Sequence, residues 1–168
     1  MELMRHQTVC FTGHRQIPLE RDRAVRIAVE EAVRKLVMQG YDTFLTGGAL
    51  GFDTLAQLTV IRLRREFPYL RSVMAIPCRN QDSRWSEHDR AIYQQLCRQA
   101  DECIVLRESY TDDCMLLRNR FMIEHSSRCV ACWDGSPRGG TAYTVRYARQ
   151  CGVPVIHVWP GEYTQLPL

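Results

Sequence analysis

Short apolar runs alternate along the chain with longer segments in which apolar residues recur every three to four positions. Short runs are typical of buried strands, and the longer period is typical of helices packed on a sheet. We predict six strands, at residues 8–12, 42–45, 70–76, 102–106, 128–133 and 153–158. We predict five helices between them, at residues 19–39, 52–66, 86–99, 114–126 and 141–150.

This alternation of strands and helices predicts the fold class. Repeated βα units form parallel sheets, so we expect an α/β Rossmann-like fold: a doubly wound, mostly parallel sheet with helices on both faces. We predict the strand order 3-2-1-4-5-6. No linker-like stretch or internal repeat divides the chain, so we assign residues 1–168 to a single domain with an irregular tail from about residue 159 to 168.

The amino-acid composition indicates the class of protein and the cellular compartment. Hydrophobic residues make up 45% and charged residues 24%, which is ordinary for a globular protein. No apolar run approaches the roughly 20 residues that span a bilayer, and no secretory leader is visible at the N-terminus. We therefore expect a cytoplasmic protein with no membrane contact.

The eight cysteines lie within apolar segments, which indicates buried thiols in a reducing compartment. Cys129 and Cys132 form a C-x-x-C pattern inside the fifth predicted strand. Alternation along a strand places residues three apart on opposite faces, and no second ligand pair completes a four-ligand site. We therefore predict no metal site.

The net charge is +3, and of 22 basic residues only Lys35 is a lysine. Arginine suits the bidentate binding of phosphate, but a genome-wide compositional bias would give the same excess. The arginines are scattered, so both interpretations stay open and the charge does not predict nucleic-acid binding.

The turn after the second strand gives the strongest signal. Residues 46–53 read Thr-Gly-Gly-Ala-Leu-Gly-Phe-Asp, with three glycines between a strand and a helix. Small residues let a ligand approach the backbone, and the free N–H groups of a helix N-terminus attract anions. The turn is neither a Walker A loop nor a G-x-G-x-x-G fingerprint. We predict a phosphate site here, in which Asp53 either contacts the ligand or only complements the helix dipole.

Two other turns have related features. Gly13, His14 and Arg15 follow the first strand, and the last two of these can donate hydrogen bonds to an anion. The turn after the fifth strand begins with Asp134, which could hold a ribose hydroxyl, and ends with Thr141, which we expect to cap the following helix.

Together these turns resemble the YpsA-like branch of the SLOG superfamily, which relates the Smf/DprA proteins to the LOG nucleotide phosphoribohydrolases. The resemblance covers nearly the whole chain and implies a Rossmann-like fold with a pocket for a nucleotide or nucleotide derivative. It rests on Phe-Thr-Gly-His-Arg at 11–15, Thr-Gly-Gly-Ala-Leu-Gly-Phe-Asp at 46–53, Ile-Pro-Cys with Gln81 and Trp85, Arg118-Asn119 with Met122, and Trp-Asp-Gly with Gly-Gly-Thr at 133–141.

Carried over position by position, the resemblance implies a pocket built from all three turns and from the segments between them. The set is Gly13, His14, Arg15, Thr46, Gly47, Gly48, Gly51, Asp53, Gln81, Trp85, Asn119, Asp134, Gly139, Gly140 and Thr141. Trp85 could stack on a base or pack against a neighbouring loop. Because Arg118 and Asn119 are adjacent on one helix, we expect at most one of them to face the pocket.

The function predicted is the binding or sensing of a nucleotide or nucleotide-derived ligand, such as ADP-ribose, NAD or a nucleoside phosphate. Similar LOG hydrolases have Gly-Gly-x-Gly-Thr-x-x-Glu, but Thr144 occupies the position of the glutamate here. A hydroxyl cannot supply a carboxylate's charge, so N-glycosidic hydrolysis is the weaker alternative. A second alternative is DprA-like binding of single-stranded DNA, which the lack of a basic stripe with interleaved aromatics disfavours. We assign no resident cofactor. The oligomeric state stays open between a monomer and a homodimer, because domains that the chain resembles often dimerise through helices.

Overall fold

Six strands form one sheet in the computed structural model, which describes residues 2–161. The strands are β1 (Thr8–Gly13), β2 (Thr43–Thr46), β3 (Arg71–Ile76), β4 (Glu102–Val105), β5 (Arg128–Cys132) and β6 (Val155–His157). The helices are α1 (Leu19–Met38), α2 (Phe52–Leu63), α3 (Glu87–Gln99), α4 (Cys114–Glu124) and α5 (Gly140–Gln150), preceded by a 3-10 turn at Arg5–Gln7. Residues 162–168 of the predicted tail lie outside the described residues.

Each predicted strand and helix is present, with shifted ends. The largest difference at a helix end is in α2, which stops at Leu63 where the periodicity predicted residue 66. The N–H groups of Arg65 and Glu66 donate to the carbonyl oxygens three residues earlier, at 3.2 and 3.0 Å. The helix therefore tightens into a final 3-10 turn before Pro68, which cannot continue it.

The five strand pairings are all parallel, which confirms the doubly wound α/β fold. The strand order is β4-β3-β2-β1-β5-β6, so the predicted order 3-2-1-4-5-6 was wrong in the position of β4. This strand pairs with β3 at the edge of the sheet instead of lying between β1 and β5. It is half-buried along its whole length, as expected for a strand with a neighbour on one side only.

Helices cover both faces of the sheet. On one face, residues of α1 and α2 pack with Phe11, Phe44 and Val130 in the largest apolar cluster, and α3 packs on Met74 and Ile76. On the other face, α4 and α5 pack on alternate residues of the same strands. Cys129 and Cys132 belong to the clusters on opposite faces, as their spacing predicted.

The order of strands reverses between β1 and β5. Successive strands from β1 to β4 are added on one side of β1, and β5 and β6 are added on the other. In open parallel sheets, this point leaves a crevice outside the carboxyl ends of the two strands. The turns that follow β1 and β5 meet at this crevice.

Candidate functional site

A pocket of about 390 Å³ lies at the carboxyl ends of β1 and β5. It contains residues from all three glycine-containing turns and from α4. Its walls are Phe11, Thr12, Gly13, His14, Arg15, Ala49, Asp53, Met115, Arg118, Asn119, Met122, Arg138, Gly139, Gly140 and Thr141. Eight of the predicted site residues are therefore brought together here: Gly13, His14, Arg15, Asp53, Asn119, Gly139, Gly140 and Thr141.

The turn after β1 is pressed against the start of α2. The N–H of Phe52 donates to the carbonyl oxygen of His14 at 3.1 Å. A Cβ at Gly13 would overlap the Phe52 ring, and a Cβ at Gly51 would overlap the carbonyl of Arg15. Gly51 also has φ +77°, a conformation that favours glycine. These glycines let two strand-to-helix turns touch through their backbones.

The loop between β2 and α2 binds a carboxylate of the protein itself. The N–H groups of Gly47 and Ala49 both donate to Oδ2 of Asp53, each at 3.1 Å. The sequence predicts that main-chain amides of this loop bind a phosphate, but two of these amides already donate to Asp53. The reason is local: Asp53 is the second residue of α2, so its side chain reaches back over the loop.

Asp53 lines the pocket although its side chain is 6% exposed. Burial raises the pKa of this carboxyl above its ordinary value, while the positive charge of Arg118 and the two loop N–H groups act in the opposite direction. The pocket floor therefore contains a buried carboxyl group close to the buried Arg118 guanidinium.

Arg118 is the main residue that the sequence prediction missed. Its guanidinium is buried, donates to the carbonyl oxygen of Gly47, and donates through Nε to Oδ1 of Asn119 at 3.0 Å. Burial lowers its pKa, and the charge of Asp53 acts to raise it. Arg118 and Asn119 both line the pocket, so the expectation that at most one would face it was wrong. The arginine folds back across its neighbour instead of pointing away from it.

The sequence contained one signal for Arg118. Met115, Arg118 and Met122 are spaced three and four apart, and this spacing places them on one face of a helix. An arginine between two methionines on an otherwise apolar face indicates a buried charge with a specific partner. The partner, a loop carbonyl on the other side of the pocket, has no counterpart in the local sequence.

Several predicted residues lie behind the β2–α2 loop and do not line the pocket. The hydroxyl of Thr46 bonds Oε1 of Gln57 at 3.3 Å. Gln81 donates to the carbonyl oxygen of Gly48 at 3.2 Å, and Trp85 packs edge-on against Tyr93 with ring centroids 5.2 Å apart. Gln81 therefore supports the loop from behind, and Trp85 has the packing role that the sequence left open.

The N-terminus of α5 opens into the pocket. Gly139 is its N-cap residue, with φ +102° and no side-chain hydrogen bond to the first turn. Thr141, expected as the cap, is instead a buried residue within the first turn. An uncapped first turn leaves N–H groups and the positive end of the helix dipole available to an anion. Arg138 lies beside it on the pocket wall.

His14 and Asp134 form the outer rim. The N–H of Asp134 lies 2.9 Å from Nε2 of His14, and Oδ1 of Asp134 lies 3.0 Å from the same nitrogen. Burial acts to raise the pKa of Asp134, but hydrogen bonds from Ser136 and the charge of His14 outweigh it and hold the pKa below its ordinary value. Asp134 is thus engaged by protein groups and does not itself line the pocket.

Thr144 lies one helical turn beyond the pocket. Its hydroxyl donates to the carbonyl oxygen of Gly140 at 2.8 Å, and the side chain is buried. Within residues 2–161, no group of three or more metal-ligating side chains is present. In the same residues, no helix is long and apolar enough to cross a membrane.

A parallel α/β sheet with a pocket where the order of strands reverses is typical of Rossmann-like domains. Residues 9–153 match the family model YpsA, described as the YspA SLOG family. The chain therefore belongs to this SLOG family, as the three turns had indicated.

Curated relatives of the chain come from bacteria. The SPbeta prophage-derived protein YoqJ of Bacillus subtilis is 32% identical over 134 residues, which cover 73% of this chain and 76% of YoqJ. The UPF0398 protein BH1768 of Halalkalibacterium halodurans is 25% identical over 128 residues, covering 75% of this chain and 68% of the relative.

Solved structures of DNA processing protein A share the fold. The protein from Helicobacter pylori, described for its single-stranded DNA binding mode, superposes with a TM-score of 0.65 at 18% identity, over 97% of this chain and 69% of that one. The protein from Streptococcus pneumoniae gives a TM-score of 0.66 at 15% identity, over 95% of this chain and 52% of that one.

Proposed function

We propose that the protein binds a nucleotide or a nucleotide-derived ligand in the pocket between β1 and β5, with a phosphate at the N-terminus of α5. One observation carries the proposal: an uncapped helix N-terminus opens into a pocket whose walls also contain Arg15 and Arg138. A helix N-terminus beside arginines is a strong arrangement for binding an anion.

The phosphate position differs from the one that the glycine pattern first indicated. Asp53 already accepts the N–H groups of Gly47 and Ala49, so these two donors are not available to a ligand phosphate. The first turn of α5 contains no acidic residue, and no side chain caps it. The loop after β2 therefore forms a wall of the pocket, and α5 supplies the anion site.

The remaining walls suit the uncharged parts of a nucleotide. The partly exposed side chain of Met115 offers apolar surface for a base, while Asn119 and Asp53 offer hydrogen-bonding groups for a sugar. A volume of about 390 Å³ falls within the range of roughly 300–1,000 Å³ of small-molecule pockets.

Binding is favoured over N-glycosidic hydrolysis. The hydroxyl of Thr144, at the position where the similar hydrolases have glutamate, donates back into its own helix. It is therefore not aimed at a ligand, and it has no charge with which to assist bond cleavage.

Single-stranded DNA binding is the second candidate, because the fold match includes a DNA processing protein described for that binding mode. The two candidates differ in salt dependence. Several phosphate contacts along a strand make affinity fall steeply with salt, whereas a pocket for one phosphate group responds mildly.

The test is calorimetric titration of the full chain with AMP, ADP-ribose, NAD and a thymidine oligonucleotide at two salt concentrations. We expect at least one nucleotide to bind, and R138A to weaken it about tenfold or more through loss of a charge-assisted hydrogen bond. R149A, which removes an exposed arginine at the far end of α5, is the matched control and should leave affinity unchanged. Failure of every nucleotide at millimolar concentration would refute the proposal, as would equal losses in both variants. Tight, salt-sensitive binding of the oligonucleotide alone would favour DNA.

A further inference from the structure

Two cysteines meet beneath the end of α3, on the side of the β2–α2 loop away from the pocket. Cys97 is in the last turn of α3, and Cys103 is the second residue of β4. The thiol of Cys103 lies 3.7 Å from the carbonyl oxygen of Cys97 and 3.9 Å from Sδ of Met74. Both cysteines are partly exposed. The fold thus brings together two partly exposed cysteines that are six residues apart in sequence, with the Cys103 thiol against the backbone of Cys97.

The environment makes the two thiols chemically unequal. Hydrogen bonding of the Cys97 side chain with the side chain of Cys103, and with that of Tyr93, lowers the pKa of Cys97 to about 7. The same hydrogen bond raises the pKa of Cys103, and burial adds to the effect. Near neutral pH, Cys97 is therefore available as a thiolate while Cys103 keeps its proton.

The other cysteines lack this combination. Cys10 and Cys129 face each other across β1 and β5 and are fully buried, and burial with neighbouring thiols raises the pKa of Cys78 beside Cys114. Cys151 is exposed, but its side chain is hydrogen-bonded to Tyr147 and not to a second cysteine. Among the described cysteines, only Cys97 and Cys103 are both partly exposed and next to another cysteine.

We propose that Cys97 is a peroxide-reactive cysteine and that Cys103 resolves its oxidised form into a Cys97–Cys103 disulfide. The Cys97 thiolate attacks one oxygen of a hydroperoxide, forming an S–O bond as the O–O bond breaks, and the leaving oxygen takes a proton to become water or an alcohol. The Cys103 sulfur then attacks the sulfenic sulfur of Cys97. The S–S bond forms, the S–O bond breaks, and the hydroxyl leaves as water with the Cys103 proton.

The disulfide is compatible with a reducing compartment because the peroxide supplies the oxidising equivalents and cellular thiols reverse the reaction. Disulfides in such compartments are usually transient and redox-sensing. Cys103 lies on β4, which among the described strands pairs with β3 alone, so backbone hydrogen bonds hold this strand on one side only.

Peptide mapping of the full chain tests the proposal. The reduced protein is treated with hydrogen peroxide, blocked with N-ethylmaleimide and digested with trypsin, which cleaves after Arg90, Arg98 and Arg107 and so separates the two cysteines. We expect a joined peptide pair, 91–98 with 99–107, about 2 Da lighter than the sum of its reduced parts. In C103S, dimedone should instead trap the sulfenic acid at Cys97. C151S is the control, and it should give the same joined pair as the wild type.

Two results would overturn the proposal. One is a Cys97 that remains fully blocked by maleimide at a peroxide concentration that oxidises Cys151. The other is a disulfide that joins different cysteines, or that disappears in C151S. The wild-type map decides without any variant, so poor folding of C103S would not obscure the answer.

Discussion

Arg118 of α4 donates a hydrogen bond to the carbonyl oxygen of Gly47 in the loop that follows β2. A Cβ at Gly47 would overlap the guanidinium group, so the backbone and the side chain are in close contact. The arginine belongs to a helix on one face of the sheet, and the loop leads into a helix on the other. This contact joins the two layers at the floor of the pocket.

Replacing Arg118 with methionine should destabilise the protein by about 3 kcal/mol, because Gly47 loses its donor and Asp53 loses its nearby positive charge. For a chain of this size, we expect the melting temperature to fall by roughly 6–12 °C. The matched control is R23M on the exposed surface of α1, which should change it little. Thermal unfolding followed by circular dichroism measures both. Similar melting temperatures for the two variants would contradict a buried structural role for Arg118.

The contact between Gly51 and Arg15 predicts an unequal effect of alanine at two glycines. Gly51 and Gly152 both have positive φ, +77° and +69°, so alanine costs about 1–3 kcal/mol of strain at either position. The strain is greater at Gly51, because its ψ of −115° lies outside the left-handed helical region. At Gly51 the new Cβ would also overlap the Arg15 carbonyl, whereas nothing lies within 4 Å at Gly152. Urea unfolding should show G51A losing at least about twice as much stability as G152A. Equal losses of stability in G51A and G152A would contradict this prediction, because they would mean that the turn between β1 and α1 moves away from the new Cβ without cost.

Asp134 predicts a pH dependence of stability. Its pKa is held below the ordinary value, so its ionised form stabilises the fold above the unfolded pKa of about 3.9, and this contribution is lost as the pH falls further. The side chain is 38% exposed, so the effect should stay below about 1 kcal/mol. D134N keeps an acceptor for Ser136 but has no charge. The difference in urea stability between wild type and D134N should shrink as the pH falls below about 4. A gap that widens in acid would contradict the assignment.

The reactivity of Cys97 should depend on Cys103. Because the pKa of Cys97 is about 7 and the hydrogen bond from Cys103 is the largest cause, iodoacetamide should label Cys97 at half its maximal rate near pH 7. In C103A, the midpoint should move to higher pH, since the thiolate loses its donor. Mass spectrometry of tryptic peptide 91–98 follows the labelling, with Cys151 in the same sample as a reagent control. Identical profiles in the two proteins would show that Cys103 does not activate Cys97.

Elements with a local cause were predictable from the sequence. The apolar stripe of α1, with Val25, Val29 and Val33 all buried, follows directly from helical periodicity. The convergence of the turns after β1 and β5 follows from parallel topology, which places the carboxyl ends of strands at one edge. Family membership followed from several short segments in a fixed order.

Features that depend on distant neighbours were not predictable. The sequence of β4 predicts a strand, but nothing in it specifies whether β3 or β1 is its partner. Glycines in the β2–α2 loop are equally compatible with an approaching phosphate and with the carboxylate of Asp53, and only the conformation of the loop distinguishes the two. The partner of Arg118 is likewise 71 positions away in the chain.

The bonds from Gly47 and Ala49 to Asp53 have one further consequence. Because the protein provides its own counter-anion, the segment between β2 and α2 is organised during folding, before any molecule enters the crevice. A ligand that binds in the crevice contacts a loop that is already ordered. Its binding therefore costs less conformational entropy than the ordering of a mobile loop would. Changes at position 53 should therefore alter the shape of the empty protein as much as they alter its affinity for a ligand.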